Sequence, residues 1–308
     1  MVLEEVLAPT TARKRPFLVF VLSFLFTVIA MWVSYFIFPH SASILTITFI
    51  VFATALLIHN IITLEETEEV TRPGSAGTFL ERHFDLIKIY GWFFLGVTIA
   101  YSLWYVILPA SNPTVCIPGT EVCMAFPTRE SIFEEQDRQL DAIGRLRQNL
   151  ASGKFIEMLA SNEYWKTVFF LFSNNATVLL LAILFSFLYG FGVLFLISWN
   201  ASIIGTVIGK TAAGVLPVYG SGLIGSTLAY LHGLWQGLGF IPHGVPEIIS
   251  YFIGAIAGGI ISAAVSKKQY QTKEFEIIAK DAFVLIVIAV VTLWIAAMIE
   301  AYILIGNF

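Results

Sequence analysis

The chain has 308 residues, 57% of them hydrophobic and 12% charged, with a mean hydropathy of +0.83. A soluble domain carries roughly 25% charged residues, so this chain lacks the charge to cover a water-facing surface of its size, and lipid must cover much of it. A net charge of −4 leaves no basic face to neutralise phosphates, which argues against a nucleic-acid partner.

Residues 1–16 are polar and end in Arg13-Lys14-Arg15-Pro16. The apolar run from Phe17 to Phe38 is long enough to cross about 30 Å of hydrocarbon at about 1.5 Å per residue. It exceeds the roughly 7–15 residues of a secretory signal core and reads as a retained span. Pro39-His40-Ser41-Ala42-Ser43 separates it from a second run, Ile44 to Ile62, so residues 1–63 predict a transmembrane hairpin. Residues 64–83 follow as an acidic, turn-rich linker with Glu65-Glu66-Thr67-Glu68-Glu69 and Arg72-Pro73-Gly74-Ser75.

Residues 84–308 form the remaining membrane core. Its first run is Phe84 to Leu108, followed by irregular chain with Pro109, Pro113, Pro118 and Gly119. Thr128 to about Leu150 predicts an exposed helix, with a capping box at Ser131/Glu134 and favourable Glu134–Arg138 and Asp141–Arg145 pairs. Its apolar stripe of Ile132, Phe133, Leu140, Ile143, Leu146 and Leu150 suits docking on the membrane, on a partner, or on its own loop. A fourth run spans Ala176 to Ile197. Residues 200–240 are apolar but broken by Gly205, Gly209, Gly214, Pro217, Gly220, Gly222 and Gly225, so they hold one broken span or a re-entrant stretch plus a span. The last runs are about Val245 to Val265 and Ala282 to Ile305. The expected fold is an all-α polytopic bundle of about seven spans.

Lysine and arginine placement sets orientation. Arg13, Lys14 and Arg15 hold the N-terminus in the cytoplasm, the linker returns there, and 110–165 lies outside. Lys267, Lys268, Lys273 and Lys280 lie inside, which puts the C-terminus outside. Cys116 and Cys123 are too few for a disulfide framework or a four-ligand zinc site. In an external loop turned by Pro118 and Gly119 they predict one disulfide.

Polar residues inside spans are costly and need partners. Here they are Asn174, Asn175, Asn200, His232, His243, Glu247 and Glu300. His243 and Glu247 are four apart and share a helix face, with Pro246 and Glu247 expected in the first turn. The pair fits inter-helix hydrogen bonding, an ion or proton site, or a metal site with His232 as third ligand. Asn174, Asn175, His243, Glu247 and Glu300 share the outer half of the membrane and are expected to converge. Asn200 lies at the inner end of its span and joins them only if the broken segment dips inward. The pairs Gly205/Gly209, Gly233/Gly237 and Gly254/Gly258 have the spacing that lets helices approach closely, within the chain or across a homodimer. The sequons at Asn175 and Asn200 lie too near the membrane to expect glycosylation. Ser221 and Ser226 lack an evident base, and nothing asks for a cofactor.

Several of these elements occur together in a recognisable order. An asparagine pair opens a span in Phe172-Ser173-Asn174-Asn175, and Ser198-Trp199-Asn200 precedes Gly205. Ile241-Pro242-His243-Gly244-Val245-Pro246-Glu247-Ile248 is followed by Ala255 and Gly258-Gly259, and the last span ends Ala296-Ala297-Met298-Ile299-Glu300-Ala301. Over about residues 80–308 this resembles the stage II sporulation protein M family. The chain departs from the family at Asn200-Ala201, where Asn-Gly is frequent, and at Glu247-Ile248-Ile249, where Glu-Leu-Pro is frequent. The hairpin 1–63 is additional to a five-span core. In spore-forming bacteria the resemblance implies a septal membrane component that works with cell-wall-cleaving partners. The expected function is therefore a non-enzymatic scaffold or assembly factor that associates with itself or with another membrane or envelope protein. A transporter or channel built around His243, Glu247 and Glu300 is the alternative, and an intramembrane enzyme a weaker third.

Overall fold

The structure is a computed structural model that describes residues 9–71, 76–110, 114–116, 123–151, 163–189, 193–220, 222–266 and 272–306. Its helices are α1 (Pro9–Lys14), α2 (Phe17–Ile37), α3 (Ala42–Thr71), α4 (Ala76–Ile107), α5 (Arg129–Ala151), α6 (Glu163–Tyr189), α7 (Val193–Tyr219), α8 (Leu223–Gly237), α9 (Ile241–Ser266) and α10 (Lys273–Gly306). One antiparallel ribbon, β1 (Thr114–Cys116) and β2 (Cys123–Ala125), lies between α4 and α5. Among the described residues six helical segments are long and apolar enough to cross a membrane: Phe17–Ile37, Ile87–Ile107, Tyr164–Leu188, Val193–Tyr219, Pro242–Ser266 and Phe275–Leu304. The second apolar run lies in α3; with the 3-10 turn Pro39–Ser41 before it, it gives the shorter apolar stretch Pro39–Ala55. The all-α membrane bundle follows.

Two packed groups share the bundle. In one, α2 lies against α3 and α4, α4 against α7, and α7 against α8; in the other, α9 packs on both α6 and α10, and α6 on α10. Tyr90 on α4 and Phe252 on α9 join the groups, with ring centroids 5.3 Å apart. Small residues set the close approaches. A Cβ at Gly205 would lie 2.6 Å from the Thr98 carbonyl, and one at Gly209 2.8 Å from that of Ser102, so α7 sits backbone-to-backbone on α4.

Several boundaries differ from the sequence expectation: α6 begins at Glu163, so Asn174 and Asn175 lie inside it instead of opening it, and the expected linker 64–83 is helical up to Thr71 and again from Ala76. The fourth apolar run, Ala176 to Ile197, is shared between two helices, because α6 ends at Tyr189 and α7 begins at Val193. The broken stretch 200–240 is accordingly the second half of α7 plus the 15-residue α8, with the turn made by Gly220 (φ 85°) and Gly222 (φ 118°). Those left-handed values favour glycine. Helix α9 starts at Ile241 through a 3-10 turn, Leu238–Phe240, so Pro246 is interior and no acidic residue falls in the first turn.

Helix α5 is capped three positions earlier than expected, at Thr128 rather than Ser131. Thr128 Oγ1 accepts from the Ser131 amide at 3.2 Å and Ser131 Oγ from the Thr128 amide at 3.0 Å. This is a reciprocal box with Ser131 in the place usually held by Glu. Arg138 pairs with both Glu134 and Glu135 at 2.7 Å. Arg145, Ile143, Leu146 and Leu150 have side chains outside the described residues.

Candidate functional site

Helices α9 and α10 place two carboxylates within electrostatic range of each other. On α9 the Tyr251 hydroxyl donates to Glu247 Oε1 at 2.8 Å, and Ser250 Oγ donates to the Glu247 carbonyl at 2.6 Å. The i,i+4 spacing on one helix face makes the first bond possible. Tyr251 and Ser250 are buried, while Glu247 and Glu300 are part-buried. Glu300, on α10, lies within electrostatic range of both Glu247 and Tyr251. His243 is one turn before Glu247 and is part-buried.

Helix α6 supplies the third wall. A Cβ at Gly254 would meet the Leu179 and Ile183 side chains, and one at Gly258 the backbone of Ile183 and Phe187. The two helices therefore run parallel there. Asn175, one turn before Leu179, is buried. Asn174 is exposed and donates its Nδ2 to Asn175 Oδ1 at 3.2 Å.

Two of the sequence candidates are bonded elsewhere. Asn200 Nδ2 donates to the Leu196 carbonyl of its own helix at 2.9 Å. His232 Nδ1 is 3.1 Å from the Tyr219 hydroxyl, across the α7–α8 hairpin. Among the described residues no three His, Cys, Asp or Glu side chains gather as metal ligands.

All three glycine pairs lie at contacts between helices of this chain. Gly205 and Gly209 meet α4, Gly254 and Gly258 meet α6, and Gly233 and Gly237 meet α7, where added Cβ atoms would lie 2.9 Å from Ala212 Cβ and 2.7 Å from Ile208 Cγ1. In the ribbon, Cys116 stands opposite Cys123; the two side chains lie outside the described residues.

A polar strut between α3, α5 and α7 was missed at the sequence level. Ser43 Oγ donates to Gln136 Oε1 at 2.7 Å, and Gln136 Nε2 donates to Ser202 Oγ at 3.1 Å. Gln136 is fully buried. Its signal is positional: it lies three and four residues after Phe133 and Ile132, within the apolar stripe. Phe133 fills the adjoining space, edge-on to Tyr105 at 4.8 Å and to Tyr101 at 5.6 Å. Lys210 also bonds Asp137 at 2.7 Å. The first part of the stripe thus docks on the chain's own bundle.

Compared with known proteins, residues 89–303 match the family described as stage II sporulation protein M. No curated protein and no solved structure matches the chain.

Proposed function

The chain belongs to the stage II sporulation protein M family, and we propose that it works as a non-enzymatic membrane scaffold or assembly factor, engaging a second copy or another envelope protein. One observation carries this reading: several polar side chains of the bundle hydrogen-bond to other groups of the same chain. Asn200 bonds its own helix, Tyr251 bonds Glu247, and Gln136 bridges Ser43 and Ser202. Buried hydrogen bonds of this kind tie helices together and favour one packing, which suits a scaffold. The N-terminus and the 64–83 linker are assigned to the cytoplasm, and the 110–165 segment and the C-terminus to the outside, following the positive-inside rule.

A second reading, ion or proton handling, is favoured by the approach of Glu247 and Glu300 from two different helices. Carboxylates at membrane depth are costly and often mark ion paths. Reconstitution distinguishes the two. Proteoliposomes bearing the wild-type chain are expected to pass protons and alkali cations no faster than empty vesicles. Glu247→Gln is expected to weaken crosslinked self- or partner association while leaving the thermal midpoint unchanged. A gradient-driven flux abolished by Glu247→Gln or Glu300→Gln would replace the scaffold with a transporter.

A further inference from the structure

A cavity of about 470 Å³ opens between α4, α7, α8 and the start of α9, lined among others by Leu95, Thr98, Ile208, Leu231, Trp235 and Ile248. It owes its existence to the short α8. That helix turns back at Gly220 and Gly222 and stops at Gly237, against Ile208, before the chain re-enters through the 3-10 turn. Thr98 lies midway along the span Ile87–Ile107, and Ile208 near the middle of Val193–Tyr219, so the cavity sits at hydrocarbon depth.

Its lining fixes the class of occupant. The walls are apolar apart from Thr98 and the Trp235 indole, and Thr98 Oγ1 already donates to the Ala201 carbonyl at 3.3 Å. Such a space holds water poorly and takes hydrocarbon. A helix of about 10 Å diameter rising about 1.5 Å per residue needs roughly 120 Å³ per residue, so the cavity would admit only about one turn. A partner helix does not fit; a single flexible chain does, and the volume falls within the roughly 300–1,000 Å³ of small-ligand sites. The cavity is also continuous with the lipid-facing surface: Leu95 is 42% exposed, Leu231 53% and Trp235 71%.

We propose that this cavity binds one acyl chain of a bilayer phospholipid, which enters sideways from the membrane. The site is separate from the Glu247/Glu300 pair and stands whether the chain is a scaffold or a transporter.

The test uses the full chain in phosphatidylcholine/phosphatidylglycerol nanodiscs that contain a phosphatidylcholine with a diazirine midway along one acyl chain. After irradiation, mass spectrometry is expected to find adducts on the segments around Leu231–Leu234 and Ile248 several-fold above those on the exposed Leu180–Leu184 face of α6. Filling the cavity with Ile248→Trp is expected to remove the first set and leave the second. Leu95→Trp fills from the exposed mouth and repeats the measurement should Ile248→Trp not fold. Adducts spread evenly over both faces, or unchanged in a folded filled variant, overturn the proposal. Labelling of the cavity by a diazirine free fatty acid but not by the phospholipid overturns the assignment to a bilayer lipid.

Discussion

Gln136 donates to Ser202 across 3.1 Å, tying α5 to the interior of α7. The same amide accepts from Ser43 at the start of α3, so one fully buried side chain holds three helices.

Removing that amide takes the acceptor of the Ser43 hydroxyl and the donor to Ser202, leaving Ser43 accepting from the Glu135 amide and Ser202 donating to the Trp199 carbonyl. Gln136→Ala is expected to cost about 1–3 kcal/mol, the penalty for unmade buried hydrogen bonds, read as a lower thermal midpoint of the detergent-solubilised protein. Glu134→Ala, which breaks only an exposed pair with Arg138, should stay within about 1 kcal/mol. Equal shifts in the two variants would show that the strut carries no stability.

Glycine substitutions should divide by what a new Cβ meets. At Gly205 it would collide with the Thr98 carbonyl and Tyr101 Cβ, both at 2.6 Å, whereas at Gly214 nothing lies within 4 Å. Gly205→Ala is expected to destabilise by about 1–3 kcal/mol through overpacking. Gly214→Ala should be neutral or gain up to about 1 kcal/mol of helix propensity. Monodispersity on size exclusion and thermal unfolding report both.

The ribbon register puts Cys116 opposite Cys123. Opposed residues of an antiparallel pair have Cα atoms about 4.5–5.5 Å apart, inside the roughly 4.4–6.8 Å that a disulfide accepts. Intact protein alkylated before reduction is expected to carry no label at either cysteine. Two alkylated thiols would refute the bridge.

Tyr164 donates to the Met298 carbonyl at 3.2 Å, so the start of α6 meets the end of α10, and Lys273 lies at the other end of that antiparallel pair. With both native cysteines replaced by serine, Arg138→Cys and Lys273→Cys should be labelled by an impermeant reagent from opposite faces, Arg138→Cys from outside. Labelling from one face would end the assigned topology.

How much of this was legible beforehand differs from element to element. The apolar runs within α2, α4, α9 and α10 are visible because a span needs about 20 apolar residues whatever it packs against. The boundary at 190–192 was not, because α6 and α7 are apolar on both sides of it and hydropathy alone sees one run. The start of α9 was misplaced for a related reason: Pro246 reads as a first-turn residue, but the chain enters helix five residues earlier through a 3-10 turn. The capping box moved to Thr128 because Ser131 is a good cap residue whichever role it plays.

For the candidate site, sequence determined the residue types and the membrane setting. A carboxylate at Glu247 and another at Glu300 are costly against lipid, so partners could be demanded before any were seen. Only the tertiary structure decided which partners. Tyr251 was an ordinary aromatic in a span until it turned its hydroxyl to Glu247, and Gln136 was one polar residue of a solvated helix until α5 docked. Asn200 and His232 carried the same cost and answered it locally, through Leu196 and Tyr219. The physical reason is general: the cost of an unpaired polar group belongs to the residue, whereas the bond that relieves it belongs to the packing.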